Sequence, residues 1–322
     1  MVSVFKGKIK PEKHLGKFAL YVSYFPQLVA GPIERFAHLQ PQLLSKQAFN
    51  YQNLTHGFRL MLYGFFIKMV IADNIVLLVD PVFNAPLEYN AVARWSAIFG
   101  FGWQIYADFY GYSLLAIGAA RCMGIELMDN FRLPYFATSI QDFWRRWHIS
   151  LSTWFKDYVF IPLGGSKVNR LMWFRNIMIV FILSGFWHGA NYTFLIWGAI
   201  HGGVYVLEQQ FSAMKVPRVF AWISTYFVVS VAWVFFRASD ITNASEMLNY
   251  TQVTNPKTLE LPLYIFVSFG LFLVLEYFFK KGIQKRMSEL NFYIRWTIYC
   301  ALIVFILFYS GTTQQPFIYF QF

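Results

Sequence analysis

Charged side chains are in short supply. Only 13% of the 322 residues are Asp, Glu, Lys or Arg, while 57% are hydrophobic and 21% are aromatic. Soluble domains carry about a quarter charged residues, so this deficit excludes an ordinary water-soluble globule and makes lipid the main solvent. Acidic residues are the scarcer class, 16 against 27 Lys and Arg, which leaves a net charge of +11. The basic residues fall in short patches (Lys6 to Lys17, Arg145/Arg146, Lys167 to Arg175, Lys215/Arg218, Lys280 to Arg286). None of these forms an extended basic tract interleaved with aromatics, so nucleic acid is not an expected partner and the charge reads as membrane topology. Cysteine is nearly absent. Cys122 and Cys300 sit in or beside apolar stretches without metal-ligand spacing, so neither a disulfide framework nor a metal site is implied. The start, "MVSVFKGKIKPEKHLGK", has no apolar core leading to a small-residue cleavage site and is not a signal peptide. A phosphate-cradling glycine loop, a His-Glu zinc box and a GxSxG elbow are all missing, and no Ser or Cys lies beside a base as a nucleophile would.

What the chain has is apolar length. A membrane span needs about 20 mostly apolar residues. The windows 57–80, 95–120, 219–236, 262–279 and 293–310 meet or approach that, while 18–33 and 176–207 are irregular candidates. If 57–80 runs outward and 95–120 returns, Arg121 to Arg175 lie inside. Spans from 219 and 262 then keep Lys215/Arg218 and the "KKGIQKR" patch inside as well, as the positive-inside rule requires. Both ends of 176–207 fall inside under this scheme. Two readings fit: a re-entrant hairpin turning near "WHGAN", or one long tilted helix. The expected fold is a single all-α domain over 1–322, polytopic, in the cytoplasmic membrane.

The segment "SIQDFWRRWHISLSTWFKDYVFIPLGG" reads as one amphipathic helix at the interface, with Ile140, Trp144, Trp147, Leu151, Phe155 and Tyr158 at three- and four-residue steps. His14, His38 and His56 fall in polar stretches and read as solvated. His188, in "SGFWHGANYTF", is either a core histidine held by one hydrogen bond or a general base kept neutral by burial. His148 projects from the shoulder of the amphipathic helix, roughly 80° from its apolar centre. His201, one turn after Trp197, reads as packing. Asp108, in "QIYADFYGYS", is a carboxylate within a span, either anchored by Gln104, Tyr106, Tyr110 and Tyr112 or orienting a substrate or a histidine. Lys68 and Asp73 are five residues apart, an imperfect spacing for a pair on one α-helix. A neutral buried base without a protein nucleophile suits direct transfer to an external hydroxyl.

At this point the motifs carry a resemblance. "YFPQLVAGPIERF", "QIYADFYGYSLLAIGAARCMGIEL", "NFRLPYFATSIQDFWRRWHISLSTWFKDYVFIPLGG", "SGFWHGANYTFLIWGAIHG" and the ending "PFIYFQF" resemble the membrane-bound O-acyltransferases, in their bacterial alginate O-acetyltransferase branch. The resemblance implies a ring of tilted and re-entrant helices around a tunnel. It also implies transfer of an acyl group, acetyl in that branch, from a cytoplasmic thioester to a hydroxyl of an exported polysaccharide. His188 falls on the family's WHG motif as the base, with Trp187 beside it, and His148 falls on the WHIS motif where the donor enters. Asp142, Trp144 and Arg145 of the same stretch are expected supports; independently of the resemblance, Asn191 or Tyr192 near His188 is a candidate to stabilise an oxyanion.

The resemblance implies no bound cofactor and no metal, only an acyl thioester on coenzyme A or an acyl carrier as donor. The expected partners are the bilayer, the donor, a periplasmic acetyltransferase subunit and a polysaccharide synthase. Family members normally carry several more spans ahead of the first motif, so the chain reads as N-terminally shortened. Leu114 stands where many relatives have an acidic residue. Two rival readings stay open: D-alanyl transfer to teichoic acid, and a proton-coupled transporter using Asp108, His148 and His188.

Overall fold

The computed structural model describes residues 2–7, 9–28, 31–211, 216–249, 253–310 and 317–318. Lys215, Val29 and Ala30 of the stretches above lie outside the described residues, as do 311–316 and 319–322 of the C-terminal end. Regular structure among the described residues is entirely helical. The region 18–33 gives no span: α1 (Leu15–Val22) is followed only by a single turn at Phe25–Leu28, and α2 (Phe36–Leu44) follows.

The centre of the molecule is a pair of long helices. One begins as α3 (Tyr51–Phe65), continues through a π-helical stretch (Phe66–Ala72) and ends as α4 (Asp73–Asn84), a rod of 34 residues. The other is α5 (Ala91–Cys122), whose 32 residues make a helix about 48 Å long. Asn50 and Asn90 start α3 and α5 by accepting backbone N–H groups of their first turns. The two rods touch along a glycine seam repeated every seven residues. A Cβ on Gly57 would stand 2.5 Å from the Gly118 carbonyl oxygen, and one on Gly118 would stand 2.7 Å from that of Gly57. Gly64 and Gly111 repeat the arrangement at 2.8 and 2.9 Å. Missing side chains bring the backbones together here, the usual device where lipid supplies no hydrophobic drive between helices.

The π-helical stretch explains a pair that sequence spacing disfavoured. A π turn closes i to i+5, so Lys68 and Asp73 share a face, with Lys68 Nζ 2.6 Å from the Asp73 carboxylate.

Two more changes shape the site. The predicted amphipathic helix is broken in two, α6 (Ile140–Arg146) and α7 (Ile149–Phe155), with a π-helical continuation over Lys156–Phe160. The break has a visible cause. The Arg146 carbonyl accepts the N–H of Arg132 at 2.9 Å, and the Ile149 N–H turns to the Asn130 carbonyl at 3.0 Å, so a neighbouring loop takes over the helix's own ladder. The stretch 176–207 forms a hairpin, not one tilted helix. Its legs α8 (Arg170–His188) and α9 (Tyr192–Gln210) have 19 residues each, about 28 Å, and both extend beyond the apolar window. Gly185 and Gly198 set how close the legs come: a Cβ there would meet the carbonyl oxygens of Phe194 at 2.2 Å and Phe181 at 2.4 Å.

The chain then runs through α10 (Arg218–Arg237), α11 (Ile241–Leu248), α12 (Leu263–Phe278), α13 (Ile283–Glu289) and α14 (Phe292–Tyr309). Five described helices, over Tyr51–Asn84, Arg170–His188, Arg218–Arg237, Leu263–Lys281 and Phe292–Tyr309, are long and apolar enough to cross a membrane. α14 leaves Val304, Leu307 and Phe308 exposed, an apolar surface that suits lipid. The all-helical, polytopic expectation is met.

The glycine seam yields a test. Gly118→Leu forces α3 and α5 apart and lowers stability by about 1–3 kcal/mol, read as a lower unfolding temperature in detergent. Gly203→Leu, where a Cβ has nothing within 4 Å, leaves that temperature unchanged.

Candidate active site

His148 occupies the break between α6 and α7. Its backbone is left-handed, φ 43° and ψ 54°, a region that a non-glycine residue rarely adopts. The ring is buried and turned inward, where Nδ1 lies 3.0 Å from the Asn130 side-chain oxygen. That oxygen also accepts the Ser150 hydroxyl at 2.9 Å, while the Asn130 amide nitrogen donates to Ser113 Oγ at 3.2 Å. The Asn130 oxygen can only accept, so the network assigns the proton of His148 to Nδ1 and leaves Nε2 with its lone pair. Phe109 meets the ring edge-on at 4.6 Å. Burial holds the His148 pKa well below the ordinary imidazole value. His188 lies close enough to depress it further, since charge on either ring disfavours charge on the other.

His188 ends α8 at the tip of the hairpin. Phe236 stands 5.0 Å from its ring, Trp197 5.4 Å and Trp187 4.9 Å. Gly189 follows because a Cβ there would strike the Phe194 ring at 2.5 Å. An aromatic wall continues from Trp197 to Trp233 (5.9 Å) and on to Trp147 (5.0 Å), the residue before His148. The hairpin and the broken helix thus place the two histidines, 40 residues apart in "WHIS" and "WHG", at the two ends of one row of aromatic rings.

The other expected site residues are placed as follows. Trp144 donates its indole N–H to His201 Nδ1 at 3.3 Å, and Phe143 and Phe181 stack on the buried His201 ring, the surroundings of a packing residue. Asp142 closes the first turn of α6, where its N–H donates to Ser139 Oγ and its carboxylate pairs with Arg146 at 2.8 Å. Asn191 starts α9 by accepting the Thr193 N–H, and its amide donates to the Ser239 carbonyl at 2.7 Å. Trp187 is half exposed. Asp108 is anchored by partners other than the expected tyrosines: Lys68 at 2.6 Å and the Ile318 backbone N–H at 2.7 Å. The adjoining Phe317 packs on Tyr112 and Phe109, which carries the C-terminal segment to the ring that meets His148.

Arg145 is exposed at a cavity of about 920 Å³. Ser113 and Asn130, next to His148, form part of its wall, together with His56, Tyr110 and Glu276. Arg121, Arg132, Arg145, Arg146, Lys280, Lys281 and Lys285 also line it. Basic patches that the topology argument put on one side of the membrane therefore meet around one opening. Arg121, Arg132 and Arg146 pair with Glu126, Asp129 and Asp142. Arg145, Lys280, Lys281 and Lys285 form no ion pair among the described residues.

Sequence reasoning missed Asn130, Ser113 and Ser150, because nothing in their spacing marks them as one cluster. It also missed Glu276, whose signal was present: a lone carboxylate in "LFLVLEYFF" is an ionisable group inside an apolar span.

Fold and site define a multi-pass helical membrane protein with one buried histidine, His148, beside the wall of a basic cavity, and a second, half-buried histidine, His188, within its electrostatic reach. Residues 12–239 match the model of the membrane-bound O-acyltransferase family, and the chain belongs to that family. It is 35% identical to the peptidoglycan O-acetyltransferase of Helicobacter pylori over 96% of this chain and 65% of that protein. It is 38% identical to the probable alginate O-acetylase AlgI of Pseudomonas fluorescens over 77% of this chain and 50% of that protein. The teichoic acid D-alanyltransferase of Bacillus subtilis is 30% identical over 61% of this chain and 52% of its own length. The chain thus spans half to two thirds of the length of these curated relatives.

The depressed His148 pKa fixes the direction of a pH effect. Below about 6.5 the unfolded chain takes up a proton that the folded ring resists, so the unfolded state binds more protons. Stability is full above that pH and falls as pH drops below it. In His148→Asn, a residue that tolerates left-handed backbone, unfolding temperature measured from pH 7.5 down to 5 should fall less steeply than in the unsubstituted protein.

Proposed function

We propose that this chain carries the catalytic core of an O-acyltransferase of the cytoplasmic membrane. It moves an acetyl group from a cytoplasmic thioester to a hydroxyl of an exported polysaccharide. The observation that carries this reading is His148, buried and held by Asn130 beside a cavity whose opening is basic and whose wall holds Ser113 and Asn130, with His188 set among aromatic rings within its electrostatic reach. A basic opening faces the cytoplasm by the positive-inside rule and suits a donor whose distal end bears phosphate.

His188 takes the proton of the acceptor hydroxyl as its oxygen forms a bond to the thioester carbonyl carbon. The tetrahedral intermediate collapses with cleavage of the carbon–sulfur bond, and the imidazolium returns the proton to the departing thiolate. Protons balance, so no further acid or base is required. His148 lies where the donor enters and could either position the thioester or polarise its carbonyl. With the proton on Nδ1 held by Asn130, its Nε2 is an acceptor, which favours positioning. Trp144, through His201 and Trp197, braces the wall behind His188. Arg145 belongs to the donor's entrance. A periplasmic acetyltransferase subunit and a polysaccharide synthase are the partners this activity calls for.

In vesicles given a radiolabelled acetyl thioester and polysaccharide, His188→Ala should reduce transfer roughly 10²–10⁴-fold while the protein stays in the membrane. His148→Ala should act mainly on the donor's KM. Near-normal transfer by the His188 variant contradicts the mechanism, and labelling from a D-alanyl thioester instead of an acetyl one supports the teichoic acid reading.

A further inference from the structure

Glu276 is buried in α12, the one carboxylate of an otherwise apolar helix. Its Oε1 accepts the Tyr63 hydroxyl at 3.0 Å and its Oε2 accepts that of Tyr106 at 2.6 Å, so α3, α5 and α12 meet at this group. Among the described residues it has no basic partner. A carboxylate at membrane depth is costly, and residues of this kind mark binding sites or pathways more often than packing. Two phenols do not exhaust it either, because a carboxylate offers about four lone-pair positions.

The position of Glu276 says what the spare capacity meets. The residue belongs to the wall of the basic cavity together with Tyr110, Ser113 and Asn130. Lys280 follows it by four residues, in the turn Phe279–Lys281 that continues α12, so the basic group begins about one helical turn beyond Glu276 along the chain. A molecule with its anionic end at Lys280, Lys281 and Lys285 and its reactive end near Asn130 and His148 must lay its middle along this wall. Those same lysines repel a cationic ligand, which leaves a neutral N–H or O–H donor as the matching group.

We infer that Glu276 accepts a hydrogen bond from a secondary amide N–H in the arm of the acyl donor, a pantetheine-type arm, with Tyr63 and Tyr106 holding the carboxylate in place. This rests on the thioester reading of the site. Glu276 touches the donor away from the reacting carbon, so it sets donor affinity and leaves the chemical step alone.

The test compares two acetyl donors on Glu276→Gln and on the unsubstituted protein in phospholipid vesicles: acetyl-pantetheine, with two amides, and S-ethyl thioacetate, with none. With acetyl-pantetheine the substitution should raise KM roughly tenfold and leave kcat within about twofold, the size expected of one charge-assisted hydrogen bond. With S-ethyl thioacetate it should change neither constant. The ratio between donors on one preparation cancels any loss of folded protein. Equal loss on both donors means that Glu276 only braces the three helices and overturns the inference, as does no change on either. An unsubstituted protein that transfers acetyl from neither thioester overturns the thioester reading and this inference with it.

Discussion

The left-handed backbone of His148 is the constraint on which the site depends. Such a conformation costs a non-glycine residue roughly 1–2 kcal/mol and persists only where its surroundings fix it. Here Asn130 fixes it from both ends, with its carbonyl on the Ile149 N–H and its side-chain oxygen on His148 and Ser150. A continuous helix would lay His148 along the interface. Broken at this residue, the chain turns the ring into the protein, sets its tautomer and brings it within electrostatic reach of His188. Strain at one residue thus converts a surface helix into one wall of a site.

Much of this was legible in the sequence. Length and apolar content gave the long helices. The basic patches gave a consistent side, and 176–207 offered a hairpin as one of two readings. His188 stood out because an imidazole among aromatics needs a reason. The failures share a cause, which is that periodicity assumes one helix type and says nothing of what docks against it. The three- and four-residue pattern of 140–158 runs across the break because Ile140, Trp147, Leu151 and Phe155 remain buried on either side of it. The Lys68–Asp73 pair was discounted because an α-turn separates residues five apart, whereas the π turn joins them. Asn130 could not be ranked, since its importance lies in four contacts to residues 17 to 20 positions away.

Basic residues serve twice in this chain. As topology signals they orient the spans. In space, Arg145, Lys280, Lys281 and Lys285, which form no ion pair among the described residues, surround one opening and charge it. Acidic residues follow the opposite rule. Those inside the protein among the described residues are each engaged, Asp73 and Asp108 by Lys68, Glu276 by two tyrosines and Glu34 by His38 and the Met128 N–H. That economy suits a protein whose solvent is lipid, where an uncompensated charge is expensive wherever it does no chemistry.

The central claim is that an acyl group would move directly from a thioester to a hydroxyl, with His188 as the base and His148 positioning the donor. The most direct measurement is a structure of the protein in lipid with a ketone analogue of the acetyl thioester, a methylene replacing the sulfur. The account predicts the arm lying along the cavity past Glu276 and the carbonyl between the two rings. An open position within about 3 Å of a His188 nitrogen should remain for a hydroxyl. An analogue bound outside this cavity, or one whose carbonyl lies on the far side of the aromatic wall from His188, would contradict it.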